Sequence, residues 1–333
     1  MDTAQPDAMG TVVAIWRYPV KSMMGEELNA VDVTLRGVAG DRAYAVIDSA
    51  TGKVASAKNP TKWGRLFECR ASYHPDAFRD AGYPSVHVTL PDGCVLRAGD
   101  DQLNERLSAL FERTSLCTDV VPDTGQLEEY WPEVAGRAYQ NTVTDQPIAS
   151  RTFFDGALVH LMTTATLDAL RAAFPAGRFE NRRFRPNLVV ASLHGEQGFI
   201  ENRWIDRTIT IGSDLVLRVT APCIRCVMTT LPQCDLPEDR NILRTAVQQN
   251  QAAVGVYATV TGLVGSAEEI WCASRNPAKA LTVGCEGSGP CRCRLTHSDR
   301  YQTRRCWWHQ SDRRCEIPQP ALQILTAWTY SSP

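Results

Sequence analysis

The sequence breaks into many short stretches in which apolar and polar residues alternate, with turn-forming residues between them. Residues 11–16 read as a strand, Val31, Val33 and Leu35 alternate as a second, and residues 43–47 form a third. Residues 86–90 and 94–96 flank Pro91-Asp92-Gly93, the pattern of a hairpin. Residues 157–162, 188–191, 208–211 and 215–219 are also strand-like, and Val254, Val256, Ala258 and Val260 alternate once more. A period of two suits a half-buried strand, because successive side chains point to opposite faces. Helical spacing is rarer. Leu103, Leu107 and Leu110 share one face. Leu167, Leu170 and Phe174 follow a cap at Thr163 or Thr164, and Pro175 and Gly177 stop that helix. A third helix spans residues 239–249, with Ile242, Leu243, Ala246 and Val247 inward. Many short strands with few helices predict a mainly β protein built from barrels rather than a doubly wound sheet.

A chain of 333 residues can bury two cores. Residues 10–120 are predicted as a small β-barrel-like domain and residues 121–275 as a second, barrel-forming one. Residues 119–149, rich in Pro, Asp, Thr and Gly, read as a connection. From residue 276 to 333 neither period survives, and this stretch is predicted as a disordered tail. Six of the twelve cysteines crowd the last part of the chain, from Cys272 to Cys315. Cys285, Cys291, Cys293 and His297 invite a metal, but their spacing matches neither a zinc ribbon nor a two-iron ferredoxin.

Formal net charge is −2, so no broad basic field points to nucleic acid or a membrane surface. No run approaches the ~18 apolar residues of a membrane span. The opening residues lack a signal-peptide pattern, and a cytoplasmic location is expected.

The chemistry concentrates in Thr220-Ala221-Pro222-Cys223-Ile224-Arg225-Cys226-Val227-Met228-Thr229-Thr230. Pro222 lacks an amide hydrogen and is expected to end the strand before it, leaving both cysteines on an irregular segment where chemistry is commonly placed. Arg225 beside Cys226 is expected to favour the Cys226 thiolate, the form that binds metals and attacks electrophiles. The spacing alone leaves open a zinc half-site, a redox pair, a structural pair and a single reactive thiolate.

Other broken polar segments lie at strand or helix ends: Tyr18-Pro19-Val20-Lys21-Ser22, Gly40-Asp41-Arg42, His160-Leu161-Met162-Thr163-Thr164 and Phe184-Arg185-Pro186-Asn187. They supply Lys21, Arg42, Arg185 and Arg225 as cations, with Ser22, Thr163, Thr164 and Asn187 as neutral hydrogen-bonding groups. Cations with backbone amides suit a phosphate, and a thiolate suits a soft or high-valent transition metal. A phosphorylated, metal-carrying organic cofactor needs both.

This ordered set resembles the MOSC family, named for the C-terminal domain of molybdenum cofactor sulfurase. The resemblance covers roughly residues 10 to 271, and implies an N-terminal β-barrel domain followed by the MOSC domain proper. In similar amidoxime-reducing members, the residue matching Cys226 ligates molybdenum. Residues matching Lys21, Ser22, Arg42, Arg185 and Asn187 hold the pterin and its phosphate; Thr163, Thr164 and Arg225 join them by position. The resemblance thus implies the molybdenum cofactor (molybdopterin) and reduction of an N-hydroxylated or N-oxide-type small molecule. Electrons are expected from a separate protein, since no Rossmann fingerprint or iron–sulfur motif is present. An alternative role is a sulfur carrier or cofactor-delivery module, with a persulfide on Cys226. Sulfurase relatives work beside a pyridoxal-phosphate domain, and nothing here marks a Schiff-base lysine. Two departures stand out: Leu231-Pro232-Gln233-Cys234-Asp235 replaces the reductases' Asp-Pro-x-Thr-Gly, and residues 265–271 only partly fit the family's closing strand.

Overall fold

The computed structural model describes residues 8–73, 86–133, 141–149, 151–212, 215–263, 269–272, 280–285 and 293–298. They belong to one compact unit within Met1–Arg300, and residues 301–333 lie outside the described set.

Its centre is a sheet that closes on itself. The strands run, side by side, Leu188–Ser192, Val159–Thr163, Ala253–Leu263, Leu215–Ile224, Thr208–Ile211, Glu269–Cys272 and Ala8–Arg17, and the last pairs back to the first. Closure leaves no open edge in this ring. Val12, Ile15, Val159, Leu161, Leu188, Val190, Ile209, Leu217, Val219 and Val256 fill the interior; pairs such as Val159 and Leu161 are two residues apart as a pleat demands, while Val12 and Ile15 are three apart across a bulge. The helices Thr164–Ala173 and Asn241–Asn250 cover the outside, where Leu167, Leu170, Ile242 and Ala246 pack on Met162, Val189 and Val254. The Thr163 hydroxyl accepts from the Thr166 amide and caps the first of these helices.

A second core holds Val20, Val46, Trp63, Leu66, Val86, Val88, Leu103, Leu107 and Phe111. It lies among the strands Ala45–Asp48, Ser115–Thr118, Arg70–Tyr73, Val86–Thr89 and Val95–Arg97 and the helix Asp101–Phe111. The protein is therefore mainly β, with barrel-like sheets and a few helices.

Several expectations need correction. Leu35 is not part of the strand Val31–Thr34 and is 65% exposed. Pro222 does not end its strand, which continues to Ile224; Pro222 sits opposite Val256 where the register shifts, a bulged position at which a missing amide is tolerated. Residues 119–149 hold a two-stranded ribbon, Gln126–Trp131 against Thr142–Pro147. The second of those strands is largely exposed, so no apolar alternation marks it. Within residues 276–333, Ala280–Cys285 and Cys293–Ser298 pair with each other, and the latter pairs with Val31–Thr34. Backbone pairing onto a strand already in place does not need a buried face. The other expectations for this stretch, and the remaining tail cysteines, fall outside the described residues.

Candidate functional site

Tyr18 is the centre of the site, although only its neighbours stood out in the sequence. Its ring is fully buried, with the Arg185 guanidinium 4.2 Å and the Arg42 guanidinium 4.6 Å from the ring centroid. Cation–π contacts of this kind gain strength when desolvated. Its hydroxyl is buried without a hydrogen-bond partner. Burial holds that hydroxyl well above the usual tyrosine range, against the pull of Arg185, Arg42 and Arg225.

The chain reaches this point through strained backbone. Ser22, Arg42 and Arg185 have φ of 63°, 47° and 55°, left-handed values that cost energy outside glycine and cluster at functional sites. Gly40, with φ of 78°, approaches the Tyr73 ring so closely that any side chain would collide with it.

Arg42 pairs with Asp41 and donates to the Arg185 carbonyl at 3.4 Å. Arg185 is nearly fully buried; its Nη1 donates to the Met23 carbonyl at 2.6 Å. Among the described residues no carboxylate pairs with Arg185. Burial, reinforced by the Arg42 charge, pulls its guanidinium down to about 9.

Lys21 lies to one side. Its ammonium donates to the Phe153 carbonyl at 2.7 Å and pairs with Asp155. Burial lowers its pKa despite that partner. Lys58 bridges Glu129 at 3.2 Å and Asp155 at 3.5 Å. Burial works against the Lys58 charge, but Asp155 and Glu129 outweigh it and raise the pKa. Ser22 accepts from the Ala57 amide at 3.2 Å.

Cys226 caps the 3-10 turn Val227–Thr230 and is half-buried. Its side packs with Tyr130 against Met24, Phe67, Val227, Met228 and Leu231. Burial, and then the Glu129 charge, push its thiol up to about 11, with Lys58 and Arg225 opposing. The expected thiolate at Cys226 is therefore corrected. Arg225 turns the other way and places Nη1 2.7 Å from the sulfur of Cys223, which is fully buried. Burial alone would raise the Cys223 thiol; Arg225, then His160 and Tyr257, lower it to about 6.

Asn187 is fully engaged. Its Oδ1 accepts from the His160 amide at 3.0 Å, and its Nδ2 donates to Asp41 at 3.0 Å and to the Trp16 carbonyl at 3.3 Å. It ties strands together and holds Asp41 for Arg42. Thr163 is buried with its hydroxyl donating to Glu201 at 2.6 Å, and Thr164 opens the following helix, half-buried. Among the described residues no hydrogen bond joins either threonine to the arginines around Tyr18.

The sequence reading missed Lys58, Asp155, Glu129 and Arg183. Arg183 is fully buried and donates to the carbonyls of Arg178, Thr229, Leu231 and Pro237. Asp155 and Glu129 come from stretches with no motif, so no pattern marks them; Tyr18 was within reach, as the start of the Tyr-Pro-Val-Lys-Ser segment.

The site thus gathers Lys21, Arg42, Lys58, Arg185 and Arg225 around three carboxylates, Asp41, Glu129 and Asp155. A half-exposed thiol stands at its edge. Such a set fits an anionic organic group carrying a thiophilic metal. The unpartnered Tyr18 hydroxyl, the buried Arg225 Nε that likewise lacks a partner, and the uncompensated Arg185 all call for an acceptor or an anion. Among the described residues no three His, Cys, Asp or Glu side chains gather as a metal cage of their own.

Fold and site together define a β-barrel protein with a buried cationic site. The MOSC N-terminal beta barrel domain matches residues 9–79, and the MOSC domain matches residues 149–270, together more than half of the chain. The protein belongs to the MOSC family, whose domain is associated with binding of the molybdenum cofactor. No curated protein matches the chain. No helix among the described residues is long and apolar enough to cross a membrane.

Proposed function

We propose that this chain binds molybdopterin and reduces N-hydroxylated or N-oxide-type small molecules, taking electrons from a separate protein. The observation that carries the proposal is the surplus of buried positive charge around Tyr18, centred on Arg185. A bound phosphate would compensate it through charge-assisted bonds. Arg42, Arg185 and Arg225 would hold the anionic end, and Cys226 would ligate the metal. Coordination deprotonates a thiol outright, so a Cys226 thiol held near 11 in the metal-free chain is no obstacle. When bound, the molybdenum supplies two-electron redox chemistry at an oxygen-bearing nitrogen. The apolar side chains of Met24, Phe67, Met228 and Leu231 would shield the thiol side of the site from water, and Lys58 and Glu129 fix its local field.

The carrier reading, with a persulfide on Cys226, is less well supported. A nucleophilic sulfur works best as the thiolate, and burial, joined by the Glu129 charge, opposes ionisation of Cys226.

The test is metal and pterin content. Protein made in a host that builds the cofactor should contain molybdenum and release a fluorescent pterin on denaturation. Cys226→Ser should lose the metal. Zinc without molybdenum would overturn the proposal. With an artificial electron donor, loaded protein should reduce a simple amidoxime; absent turnover with a cyanide-labile sulfur on Cys226 would favour the carrier.

A further inference from the structure

The proposed function leaves Cys223 without a task. It sits in the strand Leu215–Ile224, one strand away from Tyr257 and two from His160. Tyr257 lies opposite both Ala221 and His160 in the ladders, so Ala221, Tyr257 and His160 form a row across adjacent strands, with Cys223 two residues along from Ala221. Gly255, with φ of 81°, keeps this row open, because a side chain there would come within 2.3 Å of His160 Nε2.

The polar groups facing the Cys223 sulfur are an arginine, a histidine and a tyrosine. Arg225 Nη1 stands 2.7 Å away and donates to the sulfur, and His160 and Tyr257 also favour the anion. The His160 ring nitrogens face the carbonyls of Arg185 at 3.4 Å and Val254 at 3.1 Å. No carboxylate competes with the sulfur for these groups among the described residues. Arg225 is half-buried with its Nε enclosed, and among the described residues no carboxylate pairs with it. A buried guanidinium without a counter-charge is costly.

We propose that Cys223 is a permanent buried thiolate, the counter-ion that fixes Arg225 with its Nε turned to the anion site. Cys223 is thus a positioning residue acting through Arg225, and the two cysteines divide the work. Cys223 carries charge and stays enclosed, while Cys226 stays a thiol until a ligand takes it. No bond forms or breaks in this role. The charged and titratable groups facing Cys223 are Arg225 from its own segment, His160 from the strand Val159–Thr163 and Tyr257 from the strand Ala253–Leu263. All three favour the anion.

The inference rests on the anion-site reading for its purpose, but the ion pair can be tested alone. The experiment uses the full-length, metal-free protein and the ultraviolet absorbance of thiolate as pH is varied. The difference between wild type and Cys223→Ser should contain one thiolate per chain, titrating near 6. Cys226→Ser should keep that signal. In Arg225→Met the titration should move up toward or beyond the ordinary cysteine range of about 8.5; this variant also serves if Cys223→Ser does not fold. The second arm measures binding of inorganic pyrophosphate. Cys223→Ser should weaken it about tenfold, the worth of one charge-assisted contact, and Cys223→Asp should restore it. The proposal is overturned if no thiolate is lost in Cys223→Ser, if Arg225→Met leaves the titration in place, or if Cys223→Asp binds as poorly as Cys223→Ser. A thiolate signature in a wild type that binds no pyrophosphate would count against the anion site and for the ion pair.

Discussion

Arg185 combines two properties that usually exclude each other: it is buried, and it has no carboxylate partner. Its charge therefore opposes folding of the ligand-free chain and favours binding of an anion. Arg185→Met should separate these effects. Phosphate-dependent retention of the pterin should weaken by roughly 1.5–3 kcal/mol. Urea denaturation of the metal-free protein should show no loss of stability, because a costly buried charge has gone. Normal pterin content in this variant would place the phosphate elsewhere. The Cys223 thiol gives a second residue-level expectation, in pH. Its folded pKa, about 6, lies below the ordinary value of about 8.5, so its stabilising contribution is complete above the ordinary value and is lost as pH falls toward 6. The urea midpoint of wild type should fall across that window more steeply than that of Cys223→Ser; parallel curves would contradict the assignment. The sequence suggested that Arg225 would act on Cys226, whereas its guanidinium reaches the Cys223 sulfur. Arg225 adjoins Cys226 in the chain, but in extended backbone residues i and i+2 share a face, and that places it with Cys223.

At the scale of elements, the main-chain carbonyls of the segment after Cys226 are gathered largely by one side chain. Arg183, in the short helix Asn181–Phe184, bonds the carbonyls of Thr229, Leu231 and Pro237 from below. Arg183→Met would leave several buried carbonyls unsatisfied, at roughly 1–3 kcal/mol each before relaxation. Chemical denaturation should show a loss above about 2 kcal/mol, and amide exchange should quicken at Thr229 and Leu231 first. Unchanged exchange there would show that Arg183 does not hold this segment. Elements with one buried face were legible: Leu103 and Leu107 marked their helix, and Thr163 its cap. The ribbon of Gln126–Trp131 and Thr142–Pro147 was not, because its second strand buries almost nothing. Arg183 was not legible either. A buried arginine satisfied by main-chain carbonyls leaves no partner residue type in the sequence.

Across the whole molecule, the strand Ala8–Arg17 stays with the segment that follows it only at its end, where residues 15–17 pair with Glu26–Leu28. It closes the barrel formed by residues beyond 150, pairing with Leu188–Ser192. A boundary drawn near residue 120 from local pattern cannot anticipate this, since alternation gives a strand its faces but not its neighbours. A fragment beginning at residue 121 should therefore lack cooperative thermal unfolding, and adding back residues 8–30 as a peptide should restore part of it. A fragment that unfolds as sharply as the full chain would contradict this role of the strand. The same pairing sets a timetable for the living cell. Ile15 emerges from the ribosome about 170 residues before its partner Leu188, a delay of roughly ten seconds or more at typical elongation rates. Throughout that interval the strand's other edge waits with its main-chain groups unpaired, a template for the wrong neighbour. Barrel closure brings Tyr18, one residue past the strand's end, to Arg185 on the far segment. The cationic pocket around Tyr18 therefore does not exist on the nascent chain, and any anion it takes must bind the finished protein.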